Sequence, residues 1–260
     1  MPFTFSHPAA VLPLARLPRW LLVPSALAVG SMAPDFWYVL PGFGFDRGTG
    51  HNLHGIFHFC LPASLALWLA WRLLLGPSMT LLLPSAPRAR LAGRLHRWRI
   101  SDLWAAPVSL ILGAITHVAW DRLAHDNHSE LLPLPDGRLH LLGHQPELWK
   151  VLQAGSSILG LAILGIWFLW TLRRLAPTAR WKDRLWPGSA RAVAALALFV
   201  APFAIATVKL MPAGIAWTPV SLKDHLHPIL SLYLPLLAAS LFIWSLLVLI
   251  ARLAMDADRR

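Results

Sequence analysis

The stretch GAITHVAWDRLAHD, residues 113 to 126, sets His117, Asp121 and His125 four residues apart. On a helix, residues at that spacing are neighbours on one face, so imidazole and carboxylate form a slowly turning stripe. His117 with Asp121 can chelate one divalent ion, as two ligands one turn apart do in zinc proteases. His125 stands about 12 Å along the axis from His117, so one ion reaches both only if the helix ends near Asp121, and otherwise a second ion is required. A second block, HNLHGIFHF, places His51, His54 and His58 at i, i+3 and i+7, again one helical face. Asp35 follows Pro34 in VGSMAPDF. Proline disfavours helix in the residue ahead of it, so winding is expected to stop there and aim the carboxylate. Each motif alone also fits polar residues at a wet interface. Their combination at the edge of apolar segments favours a metal site, because ionisable groups at membrane depth are costly and usually have a functional partner. His225 and His227, in KDHLHP, and His128, His140 and His144 are read as loop residues.

The elements that must position these groups are apolar. Of 260 residues, 57% are hydrophobic and 13% charged, too few charges to cover a soluble domain. Five stretches, roughly 55 to 75, 103 to 121, 151 to 172, 190 to 211 and 229 to 251, approach the ~20 helical residues that a hydrocarbon core requires. The expected fold is all-α, a polytopic membrane helical bundle forming one domain over residues 1–260, with the site in 1–161 and C-terminal spans in 162–260. Pro8, Pro13, Pro18 and Pro24 break the N-terminal segment, which is expected as two short helices, about 8 to 16 and 24 to 33. These would form a re-entrant hairpin with Arg16 and Arg19 at its tip and His7 returned beside Asp35. The alternative makes residues 20 to 40 a sixth span.

Charge gives the orientation. The formal charge of +11 invites a nucleic-acid partner, but 15 of the 23 basic residues sit in or beside three inter-helical or terminal segments, which is the positive-inside pattern. No nucleic-acid partner is expected. Residues 76 to 102, 173 to 191 and the C-terminus are expected in the cytoplasm of a bacterium, with the chain in the inner membrane. Ten of the 12 histidines and eight of the 12 acidic residues then fall on the non-cytoplasmic side. Cys60 is the single cysteine, so no intrachain disulfide forms. The N-terminus lacks a basic start followed by an unbroken apolar stretch and is expected to be retained. No GxSxG, Walker loop, CxxC or GxGxxG occurs, which removes the common serine-hydrolase, nucleotide and thiol chemistries at motif level.

Five blocks, MPFTFSHPAAVLPL, VGSMAPDF, HGIFHFCLP, GAITHVAWDRLAH and LQAGSSILGL, together resemble a family of uncharacterised bacterial integral membrane proteins, domain of unknown function 4184. The blocks are ordered along residues 1 to 161; beyond them only span number is comparable. More remotely, an early His, a PD turn, a His-rich block and a GxxxHxxxDxxxH stretch resemble membrane-bound metal-dependent hydrolases and zinc-dependent phospholipases C. That resemblance implies metal-ligand roles for His7, Asp35, His54, His58, His117, Asp121 and His125, and hydrolysis of an ester or phosphoester. It departs from the distant pattern at Phe57, where a Ser or Thr often precedes the histidine.

The expectation is therefore a membrane-embedded hydrolase dependent on zinc, one ion or two, or on another divalent transition metal, acting on a lipid or envelope molecule. His54, His58, His117 and Asp121 would hold the ion, with His7, Asp35 and His125 completing or bridging a second site. Asp35 or Asp126 would serve as general base. Membrane lipids are its expected surroundings. Two other classes fit the same residues: a scaffold whose His-Asp cluster ties helices together, and a transporter of protons or metal ions.

Overall fold

In a computed structural model, the structure describes residues 3–40, 43–91, 98–124, 147–177, 188–210 and 219–257, with side chains of the last segment described for 228–255. The described elements are helical, and the protein is an all-α polytopic bundle. We label six helices: α1 (Pro24–Gly30), α2 (Leu53–Leu82), α3 (Asp102–Leu123), α4 (Leu148–Arg174), α5 (Gly188–Leu210) and α6 (Pro219–Ala257). Among the described residues five helices are long and apolar enough to cross a membrane: α2 to α5, and Pro228–Met255 within α6. This is a membrane protein. Its large apolar side chains lie on the outside, among them Ile158, Ile166, Val193, Val208 and Ile250, as expected when the solvent is hydrocarbon rather than water.

Two helices outrun the apolar stretches. α2 passes through Gly76 and Pro77 because it is wound as a π turn over Trp71–Leu75. A proline lacks the N–H and crowds the carbonyl four residues back, and the wider turn accommodates both. α6 begins at Pro219, where a proline at the first helical position loses nothing, so residues expected in an outer connection are wound into the helix.

The chain forms two compact units, each assembled from separated stretches: residues 1–37, 45–68 and 98–174 make the first, and 38–44, 69–97 and 175–260 the second. In the second unit α5 and α6 pack along each other and against the C-terminal half of α2. Phe203 and Tyr233 meet edge to face at 5.7 Å, and Trp244 Nε1 donates to the Ser78 carbonyl at 3.4 Å.

In the first unit the N-terminal segment is a hairpin laid along α3. It consists of 3₁₀ turns at Thr4–Ala9 and Leu14–Arg16, then α1, then a 3₁₀ turn at Ala33–Val39, none of spanning length. His7 meets Asp121 near one end of α3, Arg19 Nη2 donates to Asp102 at the other end at 3.0 Å, and Asp35 returns to His117. Asp102 and Asp121 lie about 28 Å apart along the helix, at 1.5 Å rise per residue. The hairpin therefore runs most of the length of a span and comes back.

Such a path needs protein cover for its backbone. Ser109 Oγ on α3 accepts the Val23 amide at 2.8 Å, and Val11, Leu22 and Leu27 form a buried cluster backed by Leu112. α1 crosses α3 glycine to glycine. A Cβ on Gly113 would stand 2.5 Å from the Leu27 carbonyl oxygen and 2.6 Å from the Ser31 amide, while one on Gly30 would run into the Leu110 backbone. Gly113→Ala is therefore expected to destabilise the protein by about 1–3 kcal/mol through overpacking against backbone that cannot yield. Gly165→Ala, where a Cβ meets nothing within 4 Å, is expected to leave stability unchanged or raise it slightly. Thermal unfolding in detergent checks the pair.

Candidate metal centre

Four separate segments deliver five side chains to one point in the first unit. α3 supplies His117 and Asp121, one turn apart and both buried, at 0% and 3% exposure. The α1 to α3 crossing brings the Ser31 carbonyl to the His117 ring, and Nδ1 donates to it at 2.7 Å. A carbonyl only accepts, so this bond fixes the proton on Nδ1 and leaves Nε2 with its lone pair directed at Asp35 Oδ1, 3.7 Å away, and Asp121 Oδ2, 3.8 Å away.

Asp35 arrives because α1 ends at Gly30 and winding resumes as a 3₁₀ turn beginning at Ala33. The Thr4 hydroxyl donates to Asp35 Oδ2 at 2.5 Å, turning Oδ1 to the cluster. Burial pushes the Asp35 carboxyl above its ordinary range, against the lowering effect of the Thr4 hydrogen bond.

His51 lies between two capped turns. Asp46 caps Arg47–Gly50, accepting from the Thr49 amide at 2.9 Å and its hydroxyl at 2.8 Å, which holds the exposed Asp46 carboxyl below its usual range. Asn52 then caps the start of α2, accepting from Gly55 N at 2.7 Å. Gly50 lets this junction press on the segment bearing Asp35, since a Cβ there would lie 2.6 Å from the Pro34 carbonyl oxygen. His51 Nδ1 donates to the Arg47 carbonyl at 2.8 Å, and its Nε2 lies 3.2 Å from Asp121 Oδ2 and 3.6 Å from Asp35 Oδ1.

His7 is held by docking of the Thr4–Ala9 turn on α4. Phe3 N donates to Ser157 Oγ at 2.8 Å, and the turn lies so close to Gly160 that a Cβ there would be 2.9 Å from both Ser6 Cβ and the Ser6 carbonyl oxygen. The His7 ring stacks on that of His117 at 3.7 Å, and its Nε2 is 3.8 Å from Asp121 Oδ1. Burial, reinforced by the neighbouring His117, lowers the His7 pKa to about 4, so the ring is neutral at physiological pH. Nε2 of His7, His51 and His117 and Oδ1 of Asp35 are buried without a hydrogen bond. Two trios have ligand atoms within 4.8 Å of one another: His7, Asp35 and His117, and His51, His117 and Asp121.

The arrangement differs from the sequence expectation in its His block. His54 and His58 are exposed, stack on each other at 4.0 Å between centroids, and belong to neither trio. The i, i+3, i+7 spacing supposes one helix from residue 51, whereas α2 starts after Asn52 and turns Gly55, Ile56, Phe59 and Cys60 inward, leaving residues 54 and 58 on the outer face. His51 precedes the helix and is free of its periodicity. The signal that identifies it is the capping sequence around it, DRGTGHN, rather than histidine spacing. α3 ends at Leu123 with Ala124 as its cap, and His125 and Asp126 lie outside the described residues.

The family described as Domain of unknown function (DUF4184) matches residues 1–251, and the chain belongs to it. The match extends past residue 161 through α4, α5 and most of α6. Neither the curated proteins nor the solved structures yield a match.

Because His7 reaches the centre only through the docked N-terminal turn, Gly160→Val is expected to displace that turn. Amide hydrogen exchange over residues 3 to 10 should rise while the α3 amides stay protected. Ser157→Ala, which removes one hydrogen-bond acceptor worth about 1 kcal/mol, should produce a smaller increase over the same residues.

Proposed function

We propose that this protein is a membrane-embedded, metal-dependent hydrolase of an ester or phosphoester in a lipid or envelope molecule. The observation that carries the metal is the one-sided chemistry of the cluster. Three imidazoles and two carboxylates converge within ligand distance, two of the rings turn Nδ1 to backbone carbonyls, and Arg47 stands 3.8 Å from one carboxylate; such a donor set suits a cation. Spacing supports a small ion. Bonds of about 2.0–2.1 Å in a tetrahedral shell put ligand atoms about 3.4 Å apart; the His–Asp contacts here run from 3.2 to 3.8 Å, within trios whose ligand atoms lie inside 4.8 Å.

Both trios pass through His117, whose single available lone pair is on Nε2. We therefore favour one ion held jointly by His7, His51, His117 and Asp121, with Asp35 as a fifth ligand or as the neighbouring base. Nitrogen-rich ligation with carboxylate suits zinc or another late divalent transition metal. Held by these residues, such an ion would supply Lewis acidity to activate water and polarise the scissile group.

The chain's own task is proton handling. Asp35 Oδ1 takes a proton from the attacking water; a bond forms from the water oxygen to the acyl carbon or phosphorus as the bond to the alkoxy oxygen breaks. The proton then passes to that leaving oxygen. The basic segments 76 to 102 and 173 to 191 support a reading in which this centre faces the non-cytoplasmic side of a bacterial inner membrane and the C-terminus the cytoplasm.

A structural ion is the second reading, favoured by the meeting of four chain segments at one point. Elemental analysis of the purified protein is expected to give about one transition-metal ion per chain. His117→Ala and Asp121→Ala should lower occupancy at least tenfold, whereas His54→Ala should leave it unchanged. Protein purified without metal refutes the proposal. Chelation that unfolds the protein, rather than sparing its fold and abolishing ester or phosphodiester hydrolysis, decides for the structural ion.

A further inference from the structure

His54 and His58 stand outside both trios of the buried centre, and the structure gives them a geometry of their own. Both are exposed on the outer face of α2, within about 8 Å of its start along the axis at 1.5 Å rise per residue. They therefore lie where a spanning helix emerges from hydrocarbon, within reach of solutes in water. Their rings are stacked, with centroids 4.0 Å apart and planes at 27°. Among the described residues no hydrogen bond or ion pair engages either ring.

The winding of α2 accounts for the stack. Residues four apart on a regular α-helix share a face but are offset around the axis, because four residues exceed one turn of 3.6. α2 is wound as a π turn over Ile56–Cys60, and this wider turn brings residue 58 more nearly above residue 54. A small rotation about the side-chain torsions then brings one nitrogen of each ring onto a common ion. The outward positions of α2 are otherwise apolar, with Leu53, Phe57, Leu67 and Leu73 all exposed. Two adjacent imidazoles on such a face depart from what lipid favours, and ionisable groups in a spanning helix ordinarily have a functional partner.

We propose that His54 and His58 form a second metal site, an exterior two-histidine chelate for a divalent transition-metal ion, distinct from the buried centre and in exchange with solvent. Two histidines four residues apart on one helix face chelate a zinc ion in metalloproteases, so the spacing is chemically sufficient. Imidazole ligands select zinc, copper, nickel or cobalt over magnesium and calcium, which take oxygen. With two protein ligands and water completing the shell, the ion is held more weakly than one with four or five protein ligands. It is lost on purification, and the one ion per chain expected above belongs to the buried centre. The outer site does not require that centre to hold metal.

The test titrates zinc(II) into the full-length protein in detergent and follows amide hydrogen exchange along the chain. Zinc in the micromolar range is expected to slow exchange over residues 54 to 60 at least threefold, because an ion bridging successive turns ties them together. Magnesium(II) at the same concentration should leave these amides unchanged. His54→Ala and His58→Ala should each raise the zinc concentration required at least tenfold. His117→Ala, which empties the buried centre, should keep the response.

No zinc effect over these residues in wild type, or an effect that survives when both histidines are replaced by alanine, overturns the proposal. A response that disappears in His117→Ala assigns the pair to the buried centre and overturns a separate site. Unchanged protection of the α3 amides in each variant shows that the protein has folded, so loss of structure is not mistaken for loss of the outer site.

Discussion

The hydrogen bond from His117 Nδ1 to the Ser31 carbonyl is the contact on which the rest of the centre depends. It fixes a ring tautomer and thereby determines where a lone pair points. It also exists only because two helices approach closely enough to put a backbone oxygen inside the reach of a buried imidazole. That approach is set by Gly30 and Gly113, where a Cβ would run into the Leu110 backbone and into the backbone of Leu27, Gly30 and Ser31 respectively. A steric property of two glycines thus becomes an electronic property of a histidine. The same logic recurs at His51, where Asp46 and Asn52 cap consecutive turns and the Arg47 carbonyl receives the ring proton. In both cases a backbone acceptor outside the cluster orients a donor atom within it.

Lipid as solvent explains the division of labour within the first unit. α4 presents Ile158, Leu159 and Ile166 outward, and hydrocarbon tolerates them without help from packing. The hairpin cannot do the same, because its 3₁₀ turns and linking residues leave amides that lipid does not satisfy. It is therefore held against α3 and α4, where Ser109 and Ser157 take the amide hydrogens of Val23 and Phe3. The confinement makes it useful: an element with no freedom to slide delivers His7 and Asp35 to fixed positions. Arg19 and Asp102 anchor the far end, so the register of the whole hairpin against α3 is set by ion pairs and hydrogen bonds at both ends.

The sequence made the all-α bundle and its five long apolar helices legible, because hydrocarbon demands a run of apolar residues whose length is set by bilayer thickness. It also made His7, Asp35, His117 and Asp121 legible as partners, the last two through spacing on one helix face and the first two through motif resemblance. It misdirected the reading of His54 and His58. Periodicity tells which residues share a face and does not tell which face turns inward, and Gly55, Ile56, Phe59 and Cys60 took the inner one. His51 was obscured for the opposite reason, since it owes its place to a junction between turns where no period applies. The extension of α2 past Pro77 was hidden as well, because a π turn leaves no pattern in side-chain hydrophobicity.

A cluster composed of acceptors raises the question of why it is buried at all. Side chains meant only to join helices do so more cheaply as donor and acceptor pairs, and the same first unit has such a pair in Arg19 and Asp102, where a buried carboxylate accepts from a guanidinium and from the Arg99 amide. The centre around His117 is built differently. Its donors are spent outward on Ser31 and Arg47 carbonyls, and its acceptors are turned toward one another. Arg47 Nη2 stands 3.8 Å from Asp121 Oδ2, with its side chain about half exposed. Two buried carboxylates are thus surrounded differently on one helix: Asp102 meets Arg19 at 3.0 Å, and Asp121 stands among His7, His51 and His117 with Arg47 at 3.8 Å. One end of α3 is therefore tied to the hairpin by an ion pair, and the other by a cluster of three histidines and two carboxylates drawn from four segments.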